Sequence, residues 1–444
     1  MVKWRNWMIG ICLVGSASSA WADSLDQQRQ RYQQIKQAWD SNQMATVDQL
    51  LPTLQDYPLY PYLQYRLLAQ DLDQETALAV QNFIRQYPTL PPARALSTRF
   101  INVLAYRQDW QGVLNFSPTE PKPVQARCNW YYAKWATGQQ QAAFDGAKQI
   151  WLRGTALPAD CDKLFSVWQA SGQVSPITIL ERIRLAMKAG NDSLVSYLAK
   201  TLPADYQTMS DAIQSLQQDP LTVSTFASAV GPTDFTRQAT IYAFTRVARQ
   251  DMENARSLIP ILVRAQKMGP EDEQALKEIV VWRMMGSDLT SEQARWRDAV
   301  VMNSESTALV ERRVRLALSQ HDRRGLNTWI ARLPLEAKEK DEWQYWQADL
   351  LFEKDRKEEA EEILRKLMQA RGFYPMVAAQ RLGVDYPLQV DEAPKPDSAT
   401  VQGPELARVR ELMYWGLDNL ARSEWSNLSA SRTLSQQQDQ KRVV

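Results

Sequence analysis

Residues 343–383 set a problem that the rest of the chain has to solve. Trp343, Trp346, Leu350 and Leu351 fall on one face at helical spacing. A charged stretch follows at 353–357, and then Ala360, Ile363, Leu364 and Leu367 form a second apolar stripe. Small Ala348 and Ala360 would let the two helices approach closely, with the bulky core growing around them. The start of a third helix follows. The pattern partly matches a tetratricopeptide-type hairpin, and such a hairpin leaves an apolar face that only a neighbouring hairpin can cover. A chain holding one unit of this kind needs more of them.

More of them are present. Ser24 is a candidate N-cap, followed by Tyr32, Ile35 and Trp39 on one face up to Asp40. Helices are expected at 44–51, stopped near Pro52; from about Pro58, with aromatic residues beside prolines in the first turn; at 77–87; and at 93–106. Residues 131–151 read as a hairpin turning at Thr137 and Gly138. The clearest internal echo pairs Arg184 to Pro203 with Arg315 to Pro334. Each copy runs as helix, polar turn, helix and proline stop, over the same length. Glycine numbers only 16, which argues against a β or glycine-loop fold. The 16 tryptophans suit gaps between helices packed at irregular angles; carbohydrate stacking by a few of them is the alternative.

Composition changes near the C-terminus. Residues 391–401, DEAPKPDSATV, are polar, hold two prolines and carry no helical stripe, so they read as a linker. A single amphipathic helix is expected at 404–420, with Leu406, Val409, Leu412, Met413 and Leu417 on one face. The pattern fades from Ser426 into a frayed tail at 429–444. A domain limited to residues 404–444 is too short to bury much by itself.

The first residues read as a secretory signal: Lys3 and Arg5, a short apolar core from Trp7 to Val14, and Ala20-Trp21-Ala22 as the cleavage pattern, leaving Asp23 first. The core is too short to span a bilayer, and Cys12 lies inside it rather than at its end, against a lipid anchor. No membrane insertion is expected. Two cysteines remain, Cys128 and Cys161. Export to an oxidising compartment points to a disulfide worth about 3–4 kcal/mol in the chain-entropy model, with a pair of buried free thiols as the alternative.

Little chemistry is marked. Lys plus Arg number 52 against 51 Asp plus Glu, so no net field would attract nucleic acid. There is one histidine, His321, in the turn at 320–324, which excludes His-clustered zinc and leaves any Ser-His-Asp triad to that residue alone. No GxGxxG or GxxxxGK[ST] occurs, and no cofactor is expected. Glu336, Glu339, Asp341, Glu342 and the run 358–362 sit among lysines and arginines, as solvated helix faces do. Nothing marks a glycosidase carboxylate pair.

Longer stretches carry a resemblance. They include ADSLDQQRQRYQQIKQAWD from Ala22, DYPLYPYLQYR from Asp56, LPPARALSTRF from Leu90, DCDKLFSVWQASG from Asp160, ERIRLAMKAGN from Glu181 and DFTRQ from Asp234. GLNTWIARLP from Gly325, LEAKEKDEWQYWQADLL from Leu335, GFYPMVAAQRLG from Gly372 and GPELARVRELMYW from Gly403 complete the set. From Ala22 to about Leu428 the chain resembles the helical N-terminal part of the soluble lytic murein transglycosylases of enterobacterial type. The resemblance implies an all-α fold: a right-handed superhelix (α-solenoid) of irregular hairpins curving into an open or nearly closed ring. It implies a signal peptide at 1–22, a superhelical domain at 23–390, a linker at 391–402, a partial helical linker domain at 403–428 and a tail at 429–444. In that family a separate lysozyme-like domain cleaves peptidoglycan. One glutamic acid protonates the glycosidic oxygen and then serves as base while the muramic C6 hydroxyl attacks, leaving a 1,6-anhydro end. The family's E-S-x-x-[ND]-P, G-L-M-Q-I and A-Y-N-A-G-P segments do not occur here, and Glu305-Ser306 shares only two letters with the first. No catalytic, cofactor or metal residue is carried over. The expectation is a periplasmic, truncated scaffold that is inactive alone, with peptidoglycan strands and other cell-wall enzymes as partners. The alternatives are a helical-repeat protein-interaction scaffold and a non-functional product.

Overall fold

The computed structural model describes residues 24–388 and 403–430; the signal, the linker and nearly all of the tail expected from the sequence lie outside them. The described residues form 25 α-helices and four short 3₁₀ segments, with no strand among them. The all-α expectation is borne out, and so is the hairpin as the working unit.

Local chemistry explains the ends of the elements. Ser24 caps Leu25–Asp40, accepting from the Gln27 amide while the Gln27 side chain accepts from the Ser24 amide. Met44–Leu50 stops near Pro52 as expected, but the chain tightens into a 3₁₀ turn at Leu51–Leu54 rather than leaving helical geometry. The single helix expected at 404–420 is instead two, Pro404–Tyr414 and Asp418–Ala430. The break falls at Gly416, whose φ of 64° ends the first helix. Met413, placed on the apolar face by its spacing, is exposed, while Leu406, Val409 and Leu412 are buried. The second helix continues through Leu428, which is buried, to Ala430.

One corner recurs through the chain. In the echo noted above, Gly190 (φ 68°) and His321 (φ 55°) occupy the same register. The following amides, of Asn191 and Asp322, donate to the carbonyls of Ala186 and Ala317, each at 2.9 Å. Asn191 and Asp322 then cap Asp192–Ala199 and Arg323–Arg332. The same left-handed residue, with its successor's amide bonded five residues back, occurs at Asn42, Gln108, Gly138, Lys267, Asp355 and Gly416. One residue thus ends a helix and the next starts another, which folds the chain back on itself.

Contacts divide the chain into two compact units. One holds the described residues up to Thr119 together with those from 403 onward; the other holds those from Glu120 to Leu388. In the second unit Asp341–Glu353 and Lys357–Leu367 meet at Ala348 and Ala360, both fully buried. Trp343, fully buried, donates from Nε1 to Glu311 of the preceding hairpin at 2.9 Å. Arg315 lies over its ring, 5.0 Å from the centroid. Cys128 and Cys161, both fully buried, are joined by a disulfide between Val124–Ala136 and the turn Ala159–Cys161.

A Cβ at Gly190 would meet no atom within 4 Å, so Gly190→Ala is expected to cost only the backbone strain, about 1–2 kcal/mol. His321→Gly, at the matching corner, is expected to cost less than Gly190→Ala. Urea unfolding of the two variants checks the pair; equal losses would mean that the corners are not equivalent.

Candidate functional site

In the unit that joins the chain's two ends, Leu412 and Ala421 of the C-terminal hairpin sit in one apolar cluster with Tyr32, Ile35, Trp39, Leu54, Tyr57 and Leu59. The 404–430 hairpin therefore does not have to form a core of its own. Tyr32 packs between Tyr57 and Trp415, 5.2 Å from each ring.

Two buried carboxylates pin this seat. Glu411 accepts from Arg29 Nε at 3.0 Å and Nη2 at 2.5 Å, and from the Tyr57 hydroxyl at 2.8 Å. Trp415 Nε1 donates to the same hydroxyl at 2.8 Å, and the Arg29 guanidinium lies over the Tyr414 ring at 3.6 Å. Glu424, 1% exposed, accepts from Arg408 Nε at 2.6 Å and Nη2 at 3.1 Å, and from the Tyr62 hydroxyl at 3.0 Å. Burial, helped by the neighbouring carboxylates, pushes both the Tyr57 and Tyr62 hydroxyls well above the usual phenol range, so both stay donors. The hydrogen bonds to Glu411 hold Arg29 charged.

A general acid for glycoside cleavage is a carboxyl whose proton is held near neutral pH and faces the substrate. Glu411 and Glu424 fail on geometry, since each has both oxygens engaged by an arginine and one also by a tyrosine. Glu311, the third buried glutamate, fails on charge. Burial pushes its carboxyl up, but hydrogen bonds from Lys340 at 2.6 Å and Trp343 at 2.9 Å outweigh burial and leave it below its ordinary value. Asp298 behaves the same way between Arg313 and Arg297.

The residues singled out from sequence fall where a scaffold would place them. His321 is an exposed corner residue. Glu336 and Glu339 are exposed, Glu342 pairs with Arg315 at 2.6 Å, and Glu359 and Glu361 pair with Arg356 and Arg365 at the surface. No group of His, Cys, Asp and Glu suited to a metal occurs among the described residues, and no described helix is long and apolar enough to cross a membrane. The Glu411 and Glu424 networks were not legible beforehand. Arg408 lies only 16 residues from Glu424, but Arg29, Tyr57 and Tyr62 lie more than 350 residues from the carboxylates they meet, and the one local signal was aromatic residues crowded beside Pro58 and Pro61.

The comparisons agree with this geometry. Over 437 residues the chain is 61% identical to the soluble lytic murein transglycosylase of Escherichia coli K12, covering 98% of this chain and 68% of that protein. This chain belongs to the soluble lytic murein transglycosylase family. The Salmonella typhimurium protein is likewise 61% identical, over 435 residues, with 98% of this chain and 67% of that protein covered. The crystal structure of the 70 kDa soluble lytic transglycosylase of Escherichia coli superposes with a TM-score of 0.89 at 61% identity, over 94% of this chain and 68% of that one. The family model for the soluble lytic murein transglycosylase L domain matches residues 400–441, which contain the seated hairpin.

Two outcomes follow for this transglycosylase family member. Glu424→Ala would leave Arg408 buried without a counter-charge and is expected to cost about 3–5 kcal/mol, against less than about 0.5 kcal/mol for exposed Glu358→Ala; urea midpoints decide, and equal losses would refute the pairing. Because the Glu311 carboxyl is held low in the folded state, its stabilisation is full above the ordinary carboxylate range and is lost as pH falls through the lower folded value. Between pH 6 and pH 3 the native chain is therefore expected to lose more stability than Glu311→Gln, measured by thermal unfolding across that range.

Proposed function

We propose that this chain is a periplasmic scaffold that holds peptidoglycan glycan strands and contributes no acid or base to their cleavage. The family reaction is the non-hydrolytic cut between N-acetylmuramic acid and N-acetylglucosamine that leaves a 1,6-anhydro end. One observation carries the second half of the reading: every oxygen of Glu411 and Glu424 is already held by a protein donor, so neither can turn to a glycosidic oxygen. The murein in the family's name supports the first half, as does the complex of a 70 kDa soluble lytic transglycosylase, 61% identical to this chain, with bulgecin A. The near balance of 52 basic and 51 acidic residues suits a largely neutral glycan better than a nucleic acid.

Export follows the sequence signal, with cleavage after Ala22 and the Cys128–Cys161 disulfide formed in an oxidising compartment. The mass of the exported protein is expected to lack the first 22 residues; a mass retaining them refutes cleavage there.

Purified chain incubated with sacculi is expected to sediment with them and to release no anhydro-muropeptides. Anhydro product from a preparation free of other wall enzymes would reveal a site missed here. The rival reading is a scaffold for other wall proteins, as helical repeat stacks often are. Failure to sediment with bare sacculi, together with capture of a wall enzyme, would favour it.

A further inference from the structure

The helix Pro91–Tyr106 ends at a corner that opens a cavity of about 780 Å³, within the size range of small-ligand sites. Tyr106 stands on its wall, 89% exposed. A lone exposed aromatic residue is ordinary on a protein surface; an aromatic residue this bare on the wall of a cavity that also gathers five charged side chains is less so. The corner is fixed: Gln108 is left-handed at φ 58°, the Asp109 amide donates to Leu104 at 2.9 Å, and Asp109 caps the next helix through the Gly112 amide at 2.8 Å. Arg107 reaches across to the carbonyls of Asp73 and Glu75 and ties the opposite rim to the corner. The ring of Tyr106 is therefore presented from a rigid base, with no hydrogen bond to its hydroxyl and no ring stacked on it among the described residues.

The remaining wall narrows the ligand class. Three carboxylates (Asp73, Glu75, Asp109) face two guanidiniums (Arg99, Arg107), so neither a polyanion nor a polycation is favoured. The Glu75 carboxylate carries no hydrogen bond or ion pair from the described protein. Carboxylates that accept and guanidiniums that donate, beside a bare aromatic face, match a pyranose ring, which has an apolar C–H face and a rim of hydroxyls. We propose that this cavity is a glycan subsite that takes N-acetylhexosamine units of a polysaccharide, with one sugar face on Tyr106. The proposal rests on the glycan-holding reading above and gives it an address in the unit that contains the chain's two ends.

The test titrates the full chain with chitotetraose by calorimetry, beside Tyr106→Ala, Tyr106→Trp and Tyr197→Ala, the last removing another exposed tyrosine (63%) that does not line this cavity. Binding to the native chain is expected, weakened by ~10-fold or more in Tyr106→Ala, kept within ~2-fold in Tyr106→Trp and unchanged in Tyr197→Ala. No heat from the native chain, or equal affinity in Tyr106→Ala, overturns the subsite. Sacculus sedimentation of the same proteins separates the two claims. Native chain that sediments while Tyr106→Ala binds chitotetraose as well as native refutes this subsite alone. Native chain that stays in solution refutes the broader reading.

Discussion

A helical hairpin hides the side it folds onto and leaves the other oily. That asymmetry governs this molecule. At the recurring corner one left-handed residue stops a helix and another begins within the next three residues, so the chain keeps producing units with one uncovered face. Where neighbouring hairpins meet, the contact is specific as well as apolar. Trp343 is fully buried, yet its indole nitrogen finds Glu311, whose charge Lys340 offsets. Arginines over Trp282, Trp296, Trp329 and Trp343 cover indoles with a flat cation while keeping it partly solvated or paired.

The buried arginine–glutamate pairs answer a different need. Desolvating Glu411 and Glu424 costs several kcal/mol each, and apolar residues of the same volume could give equal or greater stability. What the pairs add is register. Arg29 and Tyr57 can satisfy Glu411 only if the 404–430 hairpin sits in one position, and a slip by one helical turn would strand that charge in the core; Glu424, paired with Arg408 of its own hairpin, gains the Tyr62 hydroxyl in the same position. The same saturation removes them from chemistry.

Legibility in the sequence followed the range of the interaction. The helices, the Ser24 cap, the echo between residues 184–203 and 315–334 and the close contact at Ala348 and Ala360 are set by neighbours a few residues away, and they were readable. The break at Gly416 was missed because the apolar stripe runs through it, and a periodic pattern gives no warning of a positive φ. The Tyr57–Glu411 and Tyr62–Glu424 contacts join opposite ends of the chain, and no local pattern encodes a partner 354 or 362 residues away. Tyr106 was unremarkable in sequence because its meaning depends on the cavity beside it.

The central claim is that the C-terminal hairpin completes the N-terminal core rather than trailing from it. Hydrogen exchange on Leu25–Asp40 tests it most directly, comparing the full chain with one ended at Tyr386. Amides around Tyr32, Ile35 and Trp39 are expected to lose protection in the shorter chain, by about the 3 kcal/mol or more that losing a buried ion pair and its apolar neighbours implies. Unchanged protection across that helix would contradict it.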